Sequence, residues 1–280
     1  MIYCASMTSA RSFDISSDRV LVMGVLNVTP DSFYAGSRST TAARAIEAGL
    51  GMVAAGADIL DIGGESSRPG AEPVSAEIEM ERTLPVIRGL RSETDVSMSV
   101  DTTKACVASA ALEEGATWIN DISALRFDPE MADVIAGAGA GAILMHMQGT
   151  PETMQRAPRY TDVVHEVRNF LLSRADVAIG AGIAQDRIIL DPGIGFGKSL
   201  DHNLALLRNL SILCDSGYPI LVGLSRKSFL GAILDVPVEK RLVGTVAANT
   251  AAILQGASII RVHDVKEGRR TADVAVRLRS

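Results

Sequence analysis

The chain has 280 residues, with 27 Lys and Arg against 33 Asp and Glu, for a net charge of −6. No long basic run is present, which argues against nucleic acid as a partner and leaves any anionic ligand to be met by local cations. Hydrophobic residues make up 47% and aromatics only 4%, so the expected core is aliphatic, of the kind that fills barrels with branched side chains.

Residues 1–18 show no apolar segment after a basic start, so they read as a loosely held arm rather than a signal peptide. Beyond them, short apolar runs alternate with amphipathic stretches. A strand over Val20–Val28 precedes a helix over Thr41–Ala55, and a strand over Asp58–Ile62 precedes a helix over Ala76–Leu90. Val96–Val100 and Lys104–Glu114 repeat the pairing, followed by strands at Trp118–Asn120 and Gly141–Met145. The Ala/Gly run at Ala136–Ala142 reads as a helix end packed into a strand. A helix over Tyr160–Ala181, a strand over Arg187–Leu190 and a helix over Leu200–Cys214 come next. Ile220–Gly223, Lys240–Gln255, Ile259–Val262 and Lys266–Arg279 complete the series as strand, helix, strand and helix.

The strands show little polar alternation, as expected for parallel strands covered by helices. Gly56, Gly115, Gly182, Gly217 and Gly256 follow helical stretches, where a left-handed cap places glycine. Eight strands interleaved with helices over residues 19–280 predict one α/β domain, a (β/α)8 TIM barrel. Helix lengths alone leave a doubly wound sheet open. Val134–Met145 is too short and glycine-rich to span a bilayer. Cys4, Cys106 and Cys214 form no CxxC pair, so no disulfide framework or zinc site is expected. They read as reduced thiols of a cytoplasmic protein, Cys106 and Cys214 as small buried residues.

Polar residues cluster where strands end: Asn27, Asp61, Asp101, Asn120 and Asp121, His146, Asp191, then Ser225–Lys227, and Arg261 with His263. One Asp or Asn at a strand end is ordinarily a cap or turn former. The whole set, with His, Lys and Arg in it, points to a shared mouth where such barrels bind substrate. Asn27 offers a neutral oxygen suited to Mg²⁺ held mainly by phosphate oxygens and water. The loop Asp61–Gly70 carries Ser67, Arg68 and Pro69, and Arg68 supplies a forked donor for phosphate. Asp191–Lys198 fits neither GxGxxG nor GxxxxGK[ST]. Its Asp191, held by a Pro-Gly turn, is suited to accept hydrogen bonds from a planar heterocycle, with Phe196 available for stacking. Lys227 starts a helix, where a cation opposes the dipole, while Ser228 and the helix N-terminus favour an anion. Alternation puts Arg261 and His263 on one side if the last strand runs that far, giving an anion site with Arg68. His146 reads as a buttress, and His165 and His202 as structural or solvated.

Taken in order, NVTPDSF, DIGGESSRPGAEPVS, SVDTTKA, INDI, LMHMQGTP, ILDPGIGFGK, GLSRKSFLG and RVHDV resemble dihydropteroate synthases from about Val20 to Val265. The resemblance implies a usually dimeric (β/α)8 barrel that joins a pterin diphosphate to 4-aminobenzoate with Mg²⁺. It assigns Asp101, Asn120, Asp191 and Lys227 to the pterin. Asn27, Arg68, Arg261 and His263 fall to diphosphate and Mg²⁺, and Ser67, Pro69, Phe196, Lys227 and Ser228 to 4-aminobenzoate. It also implies departure of diphosphate before the amine attacks, with the pterin cation stabilised mainly by Asp101. Two departures stand out: Ser67 replaces the family's usual Thr, and Ala35 stands where its first loop carries an acidic residue. The rival readings are a pterin-binding methyltransferase domain, disfavoured by the phosphate-type loops, and a catalytically silent pterin-binding paralogue.

Overall fold

The computed structural model describes residues 19–29, 38–66 and 70–279. Eight strands form one parallel sheet: β1 (Leu21–Asn27), β2 (Ile59–Gly63), β3 (Ser97–Asp101), β4 (Trp118–Asp121), β5 (Gly141–Met145), β6 (Ile188–Asp191), β7 (Leu221–Gly223) and β8 (Ile259–Val262). The hydrogen-bonded order is β6-β5-β4-β3-β2-β1-β8-β7. A parallel bridge between Leu190 and Ile220 joins the two ends, so the sheet closes. Closure rules out the doubly wound alternative, whose edge strands stay apart.

The helices between strands are α1 (Arg38–Ala54), α2 (Ala76–Glu93), α3 (Ala105–Glu113), α4 (Met131–Gly137) and α5 (Val163–Gly180). They continue as α6 (Leu200–Arg208), α7 (Leu210–Cys214), α8 (Ser228–Leu234), α9 (Leu242–Leu254) and α10 (Val265–Leu278). The predicted helix at Leu200–Cys214 is two helices. Asn209 leaves helical geometry between them and its side-chain amide donates to Ala205 O at 2.9 Å. The helix expected from Tyr160 starts at Val163, where the Asp162 carboxylate accepts from the amides of Val164 and His165. α4 was read only as a helix end, because its alanines and glycines give little amphipathic contrast. The five cap glycines all have positive φ, from +82° to +108°.

Two residues per step separate the layers inside the barrel. Leu21, Met23, Ile59, Trp118, Ile143, Ile189, Leu221 and Ile259 form the apolar plug. The next interior step turns polar in four strands: Ile59 gives way to Asp61, Trp118 to Asn120, Ile189 to Asp191 and Ile259 to Arg261. A larger aliphatic shell packs the outward strand faces against the helices.

Gly141 makes room for the plug's largest member. It stands opposite Trp118, and a Cβ there would sit 2.2 Å from the indole. Gly141→Ala is therefore expected to destabilise the fold by about 3 kcal/mol, as overpacking does. Urea denaturation checks this, and an unchanged midpoint would show that the plug yields.

The expectation of buried cysteines is corrected: Cys106 is exposed and Cys214 half-buried. On α3, Ala105, Val107, Ala108 and Ala111 face the core, which turns Cys106 to solvent. Cys4 and the arm at 1–18 lie outside the described residues. Among those described, no helix is long and apolar enough to cross a membrane.

Candidate active site

The polar layer forms the floor of a cavity at the C-terminal ends of the strands. Asp101, Asn120, Asp191, Phe196, Lys227 and Arg261 all line it, with Ile122 and Met145 on its apolar wall. Six sequence-predicted residues therefore come together there.

Arg261 is the central charge. Its Nε donates to Asp61 Oδ2 at 2.6 Å and its Nη2 to Asp101 Oδ2 at 3.1 Å. Asp61 is fully buried and also accepts from Asn120 Nδ2 at 3.1 Å and from Ser99 Oγ. Burial, and then the neighbouring Asp61, push the Asp101 carboxyl up to about 7, against the pull of Arg261. Asp101 thus changes charge near neutral pH.

On the opposite wall, Asp191 accepts from the Gly193 amide at 2.7 Å, and burial raises its pKa. Lys227 lies at the N-cap of α8 without capping it. Its ammonium instead donates to Ile194 O at 2.7 Å and sits 4.0 Å from the centre of the Phe196 ring. Burial lowers Lys227 to about 8, although Asp191 favours its charged form. Phe196, expected to stack on a ligand ring, has a face taken by this cation.

The remaining predicted residues are placed differently. Asn27 ends β1, and its side-chain oxygen flanks Gly63 beside Asp101: a Cβ built on Gly63 would meet Asn27 Oδ1 at 3.5 Å and Asp101 Cβ at 3.7 Å. Ser228 is exposed in the first turn of α8. β8 ends at Val262, so strand alternation does not carry His263 alongside Arg261. His263 is exposed at the rim with Nδ1 3.0 Å from Ser225 Oγ. Arg261, for its part, is already shared between two carboxylates, so the expected cationic cluster is electrostatically mixed. Ser67, Arg68, Pro69 and Ala35 lie outside the described residues.

The sequence places Asp61 among the polar strand ends of the mouth without naming its contact, and gives Lys198 no role. Asp61 was visible two residues after Ile59, an interior position. Nothing local signals its pairing with an arginine 200 residues away. His146 is buried, as expected of a buttress, and sits 2.9 Å from the Lys198 ammonium. Burial and then Lys198 push this histidine down to about 2. Beside the mouth, Lys104 joins Glu65, at the root of the loop after β2, to the fully buried Glu79.

An acidic and amide-bearing floor facing two cations can recognise a flat heterocycle with several N–H groups that carries an anionic arm. Residues 23–263 match the protein family described as pterin binding enzyme. The dihydropteroate synthase of Synechocystis sp. is 49% identical over 92% of this chain and 89% of its own length. Among solved structures, the Xanthomonas albilineans dihydropteroate synthase with 4-aminobenzoic acid superposes with a TM-score of 0.88 at 45% identity, covering 94% of both chains. The same organism's enzyme in complex with 7,8-dihydropteroate gives a TM-score of 0.84 at 42% identity over 95% of each chain.

Proposed function

The chain belongs to the dihydropteroate synthases of the pterin binding enzyme family, and we propose a division of labour among its mouth residues. The reaction condenses 6-hydroxymethyl-7,8-dihydropterin diphosphate with 4-aminobenzoate, giving 7,8-dihydropteroate and diphosphate in folate biosynthesis. The observation that carries the division is the polar floor itself: Asp101, Asn120 and Asp191 around Arg261 and Lys227.

The carboxylates of Asp101 and Asp191 accept from N–H groups of the pterin edge, and the Asn120 amide meets the same edge, with Lys227 beside them. Arg261, His263 and Arg68 face the diphosphate. Phe196, Lys227, Ser228, Ser67 and Pro69 surround 4-aminobenzoate. The bond from the exocyclic carbon to the diphosphate oxygen breaks first, and the electron pair leaves with diphosphate. The ionised Asp101 stabilises the positive charge left on the pterin. The aryl amine then bonds to that carbon and releases one N–H proton. No covalent enzyme intermediate is needed.

Mg²⁺ fits this site through Asn27, whose neutral amide oxygen is a hard ligand that leaves the other positions to phosphate oxygens and water. Held there, the ion would supply positive charge against the diphosphate oxygens. The protein also acts as a homodimer in this reading. α8, α9 and α10 expose the apolar side chains Ile233, Leu234, Val243, Leu254, Val274 and Leu278, which a second copy would cover in this reading. Sedimentation at micromolar concentration reads this directly. Its free cysteines favour a cytoplasmic setting, which cell fractionation tests.

The deciding experiment supplies both substrates to the purified protein and detects dihydropteroate and diphosphate, with and without Mg²⁺. Product should need both substrates and fall by about 10²-fold or more after chelation of the metal. Pterin binding without product would favour the silent paralogue and implicate Ala35.

A further inference from the structure

The loop after β6 is folded around one buried lysine amine that no proposed step uses; burial lowers its pKa to about 7, although Asp191 favours its charged form. Lys198 is 3% exposed. Its Nζ lies 3.0 Å from Gly193 O, 3.0 Å from Phe196 O, 3.4 Å from His146 O and 2.9 Å from His146 Nδ1. Burial keeps His146 from taking up a proton, and in its Nε2–H tautomer Nδ1 accepts from Lys198. Converging carbonyl oxygens repel one another, and N–H groups donated from a central nitrogen offset that repulsion. The turn is tight as well. Gly193 has φ +64°, and a Cβ there would stand 2.0 Å from His146 O.

The same loop sets three groups in the mouth. The Gly193 amide holds Asp191, Ile194 O receives the Lys227 ammonium, and the Phe196 ring lies against that ammonium. Lys198 itself does not line the cavity.

We propose that Lys198 is a positioning residue whose side-chain nitrogen gathers the loop carbonyls and so aims Asp191 and Lys227 at the pterin. This rests on the reading of Asp191 as a pterin contact. A purely stabilising lysine would be replaceable by an apolar side chain of similar volume without effect on ligand affinity in the folded protein. A positioning lysine would not.

The test is calorimetric titration of the full chain with 6-hydroxymethyl-7,8-dihydropterin diphosphate, in a cycle of Lys198→Met and Asp191→Asn. Lys198→Met alone is expected to weaken binding at least about tenfold, and less than about twofold when Asp191→Asn is already present. Lys198→Gln keeps donors for the carbonyls and is expected to fall between. If the Met variant does not fold, the Gln variant carries the cycle, with a loss of at least about threefold that falls below about 1.5-fold when Asp191→Asn is already present. Wild-type affinity in a folded Lys198 variant overturns the proposal, as does an equal loss in both backgrounds. A wild-type chain that binds no pterin withdraws the pterin reading itself, an outcome distinct from either.

Discussion

Arg261→Ala is expected to lower stability by about 3–5 kcal/mol at pH 8, because it leaves buried carboxylates without their counter-charge. Asp61 is fully buried, and the coulombic effect of Asp61 helps to raise the Asp101 carboxyl. Arg261 is the cation that touches both. Turnover should fall by about 10²-fold or more, since a donor facing the leaving diphosphate is also lost. The stability loss should shrink at pH 5. Asp101, pushed up to about 7 by burial and by Asp61, is then protonated and no longer repels its neighbour. Adding Asp61→Asn to Arg261→Ala should restore most of the stability at pH 8 and none of the turnover. Urea denaturation at both pH values, with a product assay, separates the two effects. Unchanged stability at pH 8 would mean that Arg261 is not paired with these carboxylates in solution.

That pairing also marks the limit of what the sequence discloses. The barrel was legible because each strand is a short apolar run and each is followed by a polar residue. Periodicity of two then fixes which residues face inward. Asp101, Asn120, Asp191 and Arg261 stand out as the polar residues at their strands' ends, and all four meet in the cavity. Their mutual electrostatics were not legible. Arg261 reads as a phosphate contact in isolation, and only closure of the sheet brings it against Asp61 and Asp101. The side that His263 takes relative to Arg261 depended on how far the last strand runs; β8 stops one residue short of it, and strand length is a tertiary outcome.

Lys198 illustrates a second limit. In the segment DPGIGFGK it resembles the lysine of a phosphate loop, and rejecting that motif left it without a role. Its surroundings are backbone carbonyls from its own loop and His146 from the end of β5. Carbonyl direction follows from φ values such as that of Gly193, which residue type permits but does not dictate. Cys106 shows the reverse case. Average preference buries cysteine, and here the position on α3 overrides it.

Asp101→Asn should make the free protein more stable while removing most of its activity. A carboxyl raised by burial keeps its proton in the folded chain after the unfolded chain has released it. Between about pH 4 and pH 7 the folded state therefore binds more protons, and stability falls as pH rises through that window and stays reduced above it. Asparagine has no such proton, so at pH 8 the variant should gain on the order of 2–4 kcal/mol, and near pH 4 almost nothing. Turnover should fall by about 10²-fold or more at every pH, because the charge opposite the pterin cation is gone. In the wild type, turnover should rise as pH climbs through about 7 and Asp101 ionises. Thermal melts at pH 5 and pH 8, run beside the product assay, check both halves. A variant no more stable than wild type at pH 8 would show that ionising Asp101 carries no penalty in the folded chain. A gain in stability with activity retained would instead move the charge that stabilises the cation to Asp191, the other buried carboxylate lining the cavity.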